Sequence, residues 1–444
     1  MSITYKEYNE KYRLPEQARD ERLLLSKKHY CLCYEPGKGK SMPVIHCMQV
    51  VNRQKKGKAN VLILSDATCI REMWVTDIQP MGVLPRNTYM VTDRTAIGKV
   101  KEALLAKKWD IIVCDEAQSL RSGVTRAKSQ YAKLVYQLTK RTEYVWGMTG
   151  TIAGNNNIEP FCVLHNLNIA DCGNINCHKF KQLYCEQELC YGPFGSFQKP
   201  TKLNAAGERF MQEAYAKGCS FWDYNDSDDM PPMEVEVKSF KVPITETYKN
   251  ALDGILKCGE SESTVIKTIA IQKAQQALNG FVYYDEESER HTFQVPQFTN
   301  PKLEYVQNEA LKGNIIIAYR FQEDGYYIEK TLNDAGIATT RKISEFKLRA
   351  PNERIILVLQ CQCGKAANLQ MCQRIIYYTA DFSYIAYRQF IHRTWRRGQT
   401  KPCKVTFLCN DPGDPAHVER KIWDSLRAKN SIHETLMSIK RDYE

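Results

Sequence analysis

"CLCYEPGKGKS", residues 31–41, runs from an apolar, strand-like stretch into two glycines, a lysine and a serine. A loop that holds phosphate needs glycines where bare backbone N–H groups approach oxyanions. It also needs a lysine that reaches the outer phosphates and a hydroxyl residue that ligates magnesium at the next helix start. Gly37, Gly39, Lys40 and Ser41 stand in that order. The general pattern also places a glycine five positions before Gly39, where this chain has Tyr34. A solvated lysine and glycine turn would show the same residues, so the rest of the chain decides.

Outward from this loop, short apolar runs alternate with helix-like stretches as far as about residue 165. The strand candidates are "HYCLCYE", "VLILSD", "TYMVTD", "DIIVCDE" and "YVWGMTG", and "RTAIGKVKEALLAKK" carries apolar residues at helical spacing with a lysine-rich outer face. Strands this apolar, separated by helices, predict a parallel sheet covered on both faces. A second series starts near "NPKLEYVQNEALKG" and continues through "NIIIAYR", "DGYYIEKTLNDAG", "ERIILVLQ", "IIYYTA", "YIAYRQFIHRTWRR" and "KVTFL". The reading is therefore α/β: one domain over 1–165, a mainly helical, loop-rich connector over 166–298, and a second domain over 299–444. Within the connector, "YNDSDDMPP" is the clearest loop and "STVIKTIAIQKAQQALNGF" a helix.

The chain has 444 residues, enough for two or three cores. With 43% hydrophobic and 25% charged residues it reads as an ordinary soluble globular protein. No apolar run approaches a membrane span, and the start lacks the apolar core of a signal peptide. The expectation is a protein that stays in the compartment where it is made and contacts no membrane. Sixty-two Lys and Arg against 51 Asp and Glu give a formal charge of +11, which favours a polyanionic partner. Seventeen cysteines, many inside apolar runs, fit buried thiols in a reducing compartment. Cys172, Cys177, His178, Cys185 and Cys190 cluster within twenty residues. Their spacing is wider than that of common zinc knuckles, and the choice between zinc and packed or free thiols stays open.

Asp115 and Glu116 follow an apolar strand candidate, where a sheet presents its carboxyl-end loops to ligands. There Asp115 could hold magnesium while Glu116 orients and deprotonates an attacking water; the alternative is a strand end entering a solvated turn. "WGMTGT" follows the next strand, and Thr149 and Thr151 flanking Gly150 could hydrogen-bond to the acidic loop, unless this is a small-residue turn without a ligand. In "YRQFIHRTWRRGQT", 387–400, Arg393 and Arg396 are three apart on a predicted helix. They would project from one face, as groups that stabilise a transferring phosphoryl group do. Gln389 lies one turn back, Gly398 closes the helix, and His392 and Trp395 read as packing residues. A solvated basic helix would share this composition.

Taken in order, these residues resemble the Swi/Snf-type branch of superfamily 2 helicase-like ATPases, particularly the compact forms carried by phages. "YRLPEQ" resembles the adenine-reading motif with Gln17, and "YEPGKGKS" the acidic version of motif I, which dispenses with the outer glycine. "VLILSD" resembles motif Ia, "DEAQSLRS" motif II and "MTGTIAGN" motif III. "HKFKQLYC" and "MPPMEVEVKSFKVPITETYKNAL" are similar to the connector between the lobes. "NIIIAYRF" resembles motif IV, "QCGKAANLQMCQRIIYYTADFS" motif V with less glycine than usual, and "YRQFIHRTWRRGQTKPCKVTFL" motif VI.

The resemblance implies two tandem RecA-like domains and an ATP hydrolase with ATP and Mg²⁺ as cofactors. It implies ATP contacts from Gln17, Glu35, Pro36, Gly37, Lys38, Gly39, Lys40 and Ser41, with magnesium on Ser41 and Asp115. Lys40, Asp115, Glu116, Arg393 and Arg396 are the implied catalytic residues, and Gln118, Thr149, Gly150, Thr151, Gln389 and Gln399 the coupling residues. Ser65, Thr92, Arg121, Tyr319, Gln362 and Asn368 are implied to grip DNA, duplex or branched rather than RNA. The expected protein is a monomeric DNA translocase or helicase in replication, recombination or repair, in the cytoplasm, or the host cytoplasm if phage-encoded. A scaffold that has lost turnover and an RNA helicase of the DEAD/DEAH kind are the alternatives.

Overall fold

The apolar runs of the first series form β1 His29–Tyr34, β2 Val61–Ser65, β3 Thr88–Thr92, β4 Ile111–Asp115 and β5 Tyr144–Met148. The computed structural model describes residues 14–125, 127–153, 156–192, 195–222, 230–258, 261–286, 289–361, 368–396, 398–414 and 417–438. An antiparallel pair follows, β6 Cys185–Gly192 with β7 Gly195–Leu203, and then β8 Cys219–Trp222. The chain divides into two compact units, residues 1–228 with 429–444, and residues 229–428.

In the first unit the sheet order is β3-β2-β4-β5-β1-β8, and every neighbouring pair is parallel. Period-two alternation sends Cys31, Cys33, Leu62, Leu64, Ile112, Cys114 and Val145 into one core. Tyr30, Leu32, Tyr34, Val61, Ile63, Ile111, Val113 and Trp146 enter the other. Because both faces are apolar, alternation alone does not fix register. The polar residues Ser65, Thr92 and Asp115 that end β2, β3 and β4 supply the missing constraint, since a slip would draw them into the apolar layers. The helix Ser41–Gln54 covers one face by burying Val44, Ile45, Cys47, Met48 and Val51. The stretch 94–108 is two helices, Asp93–Ile97 and Lys101–Ala106, broken where Gly98 turns to φ −107°, ψ −114°.

The second unit opens with β9 Met233–Lys241 and two antiparallel pairs, β10 Ile255–Cys258 with β11 Ser261–Thr264 and β12 Phe281–Glu286 with β13 Glu289–Gln294. Its sheet continues with β14 Ile316–Tyr319, β15 Ala338–Thr340, β16 Ile355–Gln360, β17 Arg374–Tyr377 and β18 Cys403–Asp411. The order is β15-β16-β14-β17-β18-β9, again parallel throughout. Two parallel sheets, each flanked by helices, make the α/β architecture of tandem RecA-like domains. The stretch 166–298 holds the helices Cys177–Tyr184, Ala205–Gly218, Glu246–Leu252 and Lys267–Leu278. It also gives β8 to the first sheet and β9 to the second. Among the described residues no helix is long and apolar enough to cross a membrane.

The expected helix through Arg393 and Arg396 stops early, at Ile391. Beyond it the chain tightens into three-residue turns: Arg393 N donates to Phe390 O at 3.2 Å and Thr394 N to Ile391 O at 3.2 Å. The Thr394 hydroxyl also bonds Ile391 O at 3.1 Å, and Gln399 Nε2 bonds Thr394 O at 2.9 Å. Side chains thus take carbonyls that a continuing helix would use. The two arginines sit on this tight turn, not on a helical face.

The second unit also encloses a charge pair. Lys302 is fully buried, its ammonium donating to Glu419 Oε1 at 2.7 Å, Asn279 Oδ1 at 3.0 Å and Tyr378 O at 3.0 Å. Glu419 Oε2 also accepts from Asn410 N at 2.6 Å. Removing one member of such a pair strands the other charge, at a cost of about 3–5 kcal/mol. Lys302→Met should therefore lower stability in urea denaturation by about that amount, and adding Glu419→Gln, which needs no counter-charge, should restore part of it. A Lys302→Met protein as stable as wild type would contradict the assignment.

Candidate functional site

Since all strands of the first sheet are parallel, the loops after β1 to β5 emerge at one edge. In the sheet order β5 separates β1 from β4, so the 149–151 turn lies between the 35–40 loop and the Asp115–Glu116 pair. Gly150 shows how close the first approach is, because a Cβ there would lie 3.0 Å from Pro36 Cγ and Cδ. Thr149 N donates to Leu32 O at 3.0 Å, tying the turn to β1.

Gly37 and Gly39 adopt φ +89° and +72°, the left-handed region that suits glycine. Lys38 N bonds Glu35 O at 3.2 Å and Met42 N bonds Gly39 O at 3.2 Å. The N–H groups of Gly37, Gly39, Lys40 and Ser41 have no acceptor among the described residues. These four donors lead into the N-terminus of the fourteen-residue helix Ser41–Gln54, whose dipole favours negative charge. Gln17 Nε2 holds the opposite side of the loop, bonding Gly39 O at 3.2 Å and Lys38 O at 3.5 Å. Ser41 Oγ lies 3.5 Å from Met73 Sδ.

Tyr34, which stands where the general pattern has glycine, is fully buried and bonds Asp20 Oδ2. Asp20 also accepts from Ser220 Oγ at 2.8 Å and Arg19 Nε at 2.9 Å. The helix bearing Gln17, strand β1 and strand β8 are thereby joined through one buried carboxylate. Sequence reasoning missed Asp20, Ser220 and Trp222; only the three-residue offset of Asp20 from Gln17 places it one helical turn away.

Asp115 is only 3% exposed. Its Oδ2 accepts from Trp74 Nε1 at 3.1 Å and its Oδ1 from Glu116 N at 3.0 Å. Trp74 sits on Ile70–Ile78, wound with wide π-helical turns, a geometry common at functional sites. Burial first, then the Glu116 charge, push the Asp115 carboxyl up to about 6, against the pull of Lys40 and these hydrogen bonds. Glu116 takes φ +52°, strained for a residue with a Cβ. Its carboxylate accepts from Gln118 Nε2, Gln118 Oε1 accepts from Thr149 Oγ1 at 2.6 Å, and Thr149 Oγ1 accepts from Thr151 N at 3.0 Å. An unbroken relay thus runs from the acidic pair to the threonine turn. The Oγ atoms of Ser65 and Thr151 are buried without a hydrogen-bond partner among the described residues.

The donor set suits a hard divalent ion, because a serine hydroxyl and a carboxylate are oxygen ligands and magnesium usually takes few from protein. Among the described residues no three His, Cys, Asp or Glu side chains gather as a metal cage. Cys172 and Cys185 are buried thiols, while Cys177 and Cys190 are partly exposed.

In the second unit, Arg393 is buried, with its guanidinium 5.4 Å from the Phe390 ring. Leu369 N donates to its carbonyl at 2.9 Å. Arg396 is half-buried, and its carbonyl accepts from Gln370 Nε2 at 3.2 Å. Gln399 braces the same turn, its Oε1 accepting from Thr400 N at 3.0 Å and Lys401 N at 3.2 Å. Gln389 is half-buried on Tyr384–Ile391. Of the expected DNA contacts, Arg121 and Thr92 are half-buried, Asn368 is exposed, and Ser65 and Tyr319 are buried. Thr92 caps the helix Asp93–Ile97, and Gln362 lies outside the described residues.

No family model matches the chain, and no curated protein matches it. Among solved structures it is similar to the Sulfolobus solfataricus SWI2/SNF2 ATPase core in complex with dsDNA. The TM-score is 0.38 and the identity 15%, covering 96% of this chain and 92% of that one. At that distance the likeness carries no chemistry across, and the residues of this chain must supply it.

Near the end of β14 a second carboxyl group is buried. Asp324 Oδ2 accepts from Thr379 Oγ1 at 2.5 Å and Phe321 N at 3.2 Å, and burial pushes its pKa up to about 7. An unfolded aspartate titrates near 4. Between those values the folded state holds more protons, so this contribution to stability is complete below about 4 and is lost as pH rises towards 7. Asp324→Asn should flatten that part of the stability profile, measured by denaturation at several pH values; an unchanged slope between pH 4 and 7 would count against a raised pKa.

Proposed function

We propose that the protein is an ATP-dependent motor on DNA, a helicase-like ATPase of the Swi/Snf-type branch of superfamily 2. The reading is carried by four backbone N–H groups at residues 37–41 that have no acceptor among the described residues, on the same sheet edge as Asp115 and Glu116. In it, ATP phosphates take those N–H groups and the Lys40 ammonium as donors. Magnesium, held by Ser41 and Asp115, would neutralise phosphate charge. Glu116 accepts a proton from water as the water oxygen bonds the γ-phosphorus and the β–γ bridging bond breaks, giving ADP and phosphate. Arg393 and Arg396 are the residues proposed to supply the guanidinium charge that such a transfer needs. Gln17, already bonded to the loop, reads adenine and so couples base recognition to loop shape.

The Glu116–Gln118–Thr149 relay is the coupling device in this account. Its hydrogen bonds link the position of the catalytic carboxylate to the turn after β5 and give strain at Glu116 a role. The excess of positive charge favours contact with phosphate backbones, which is independent of sequence and weakened by salt. Tracking along duplex or branched DNA, in replication, recombination or repair, is the activity proposed.

Phosphate release with and without DNA tests the reading. Lys40→Ala, Glu116→Gln and Arg393→Ala should each lower the DNA-stimulated rate by roughly 10²-fold or more. Duplex or forked DNA should stimulate more than RNA, and less as salt rises. Thr149→Val, which cannot donate to Gln118, should bind nucleotide but lose most of the stimulation. Wild-type protein with no nucleotide-dependent phosphate release would show a binding scaffold instead, and a Glu116→Gln protein as fast as an active wild type would remove Glu116 from the role of base.

A further inference from the structure

Lys38 is the one side chain between the two glycines of the loop, yet it is only 2% exposed. Its ammonium lies 4.5 Å from the centroid of the Trp222 ring, within cation–π range. Trp222 ends β8 and stands beside Tyr34 in the parallel register. Its carbonyl accepts from Glu35 N at 2.9 Å, and its ring meets Tyr34 edge-on at 5.3 Å. The indole Nε1 is buried without a hydrogen-bond partner among the described residues, and the contact with Lys38 runs through the π face of the ring.

Glycines at 37 and 39 leave the loop backbone little conformational preference of its own, so something else must hold the donors of Gly39, Lys40 and Ser41 in one orientation. We propose that Trp222 is a positioning residue of the nucleotide site: by holding Lys38 it fixes the phosphate loop, and it keeps that ammonium away from the phosphates, leaving them to Lys40. This rests on the ATP-binding reading above and extends it to β8, a strand outside the motifs that suggested the site.

The test uses the full chain, with Mg-ATP affinity from calorimetry and KM and kcat from phosphate release. Trp222→Leu should raise both Kd and KM for ATP about tenfold with kcat within twofold. Trp222→Phe, which keeps a π face, should stay within about threefold of wild type. Lys38→Met should match Trp222→Leu, and the double variant should be no worse than either. The single Lys38→Met variant carries the test if Trp222→Leu fails to fold. A general loss of packing would instead lower kcat and melting temperature together, without rescue by phenylalanine, and would overturn the proposal. Wild-type binding matched by undiminished binding in Trp222→Leu and Lys38→Met would overturn this inference alone, whereas wild type that binds no ATP overturns the functional reading with it.

Discussion

Four backbone donors with no acceptor among the described residues, at Gly37, Gly39, Lys40 and Ser41, are the feature on which the chemistry proposed for the first unit depends. An amide N–H left without a partner costs free energy wherever water is displaced, so a loop that presents four of them suits an external acceptor such as the phosphates proposed here. Parallel pairing puts the remaining groups within reach, because each strand ends at the edge where that loop begins. The two carboxylates, the threonine turn and the cradle therefore follow from one topological choice.

The same edge is stiffened from behind. Asp20 receives Tyr34, Ser220 and Arg19, and Gln17 grips the loop carbonyls from one turn earlier in the same helix. Such buried, satisfied networks specify one arrangement more than they add stability. The departure at Tyr34 is thereby explained: its ring fills an apolar core while its hydroxyl ends on the carboxylate that joins three elements.

Much of this was legible in the sequence. Long apolar runs without alternation signalled buried parallel strands, and β1 to β5 and the second series fall where the pattern put them. Partners from distant parts of the chain were not legible. Strand β8 is only "CSFW", too short for a period to show, and β9, "MEVEVKSFK", alternates with charge because it lies at the end of its sheet. The arginine stretch has helical composition to Arg396, but Thr394, Gln370 and Gln399 capture its carbonyls, a tertiary effect that spacing cannot report. Glu116 in the left-handed region was equally invisible, since its strain is sustained by neighbours rather than by its own preference.

The central claim is that the N–H groups of residues 37–41 receive the phosphates of ATP. Amide hydrogen exchange across this loop, with and without Mg-ATP, tests it most directly. The account predicts marked slowing at Gly39, Lys40 and Ser41 when nucleotide is added, and little in the Lys40→Ala protein; exchange in the wild type that is the same with and without saturating nucleotide would contradict it.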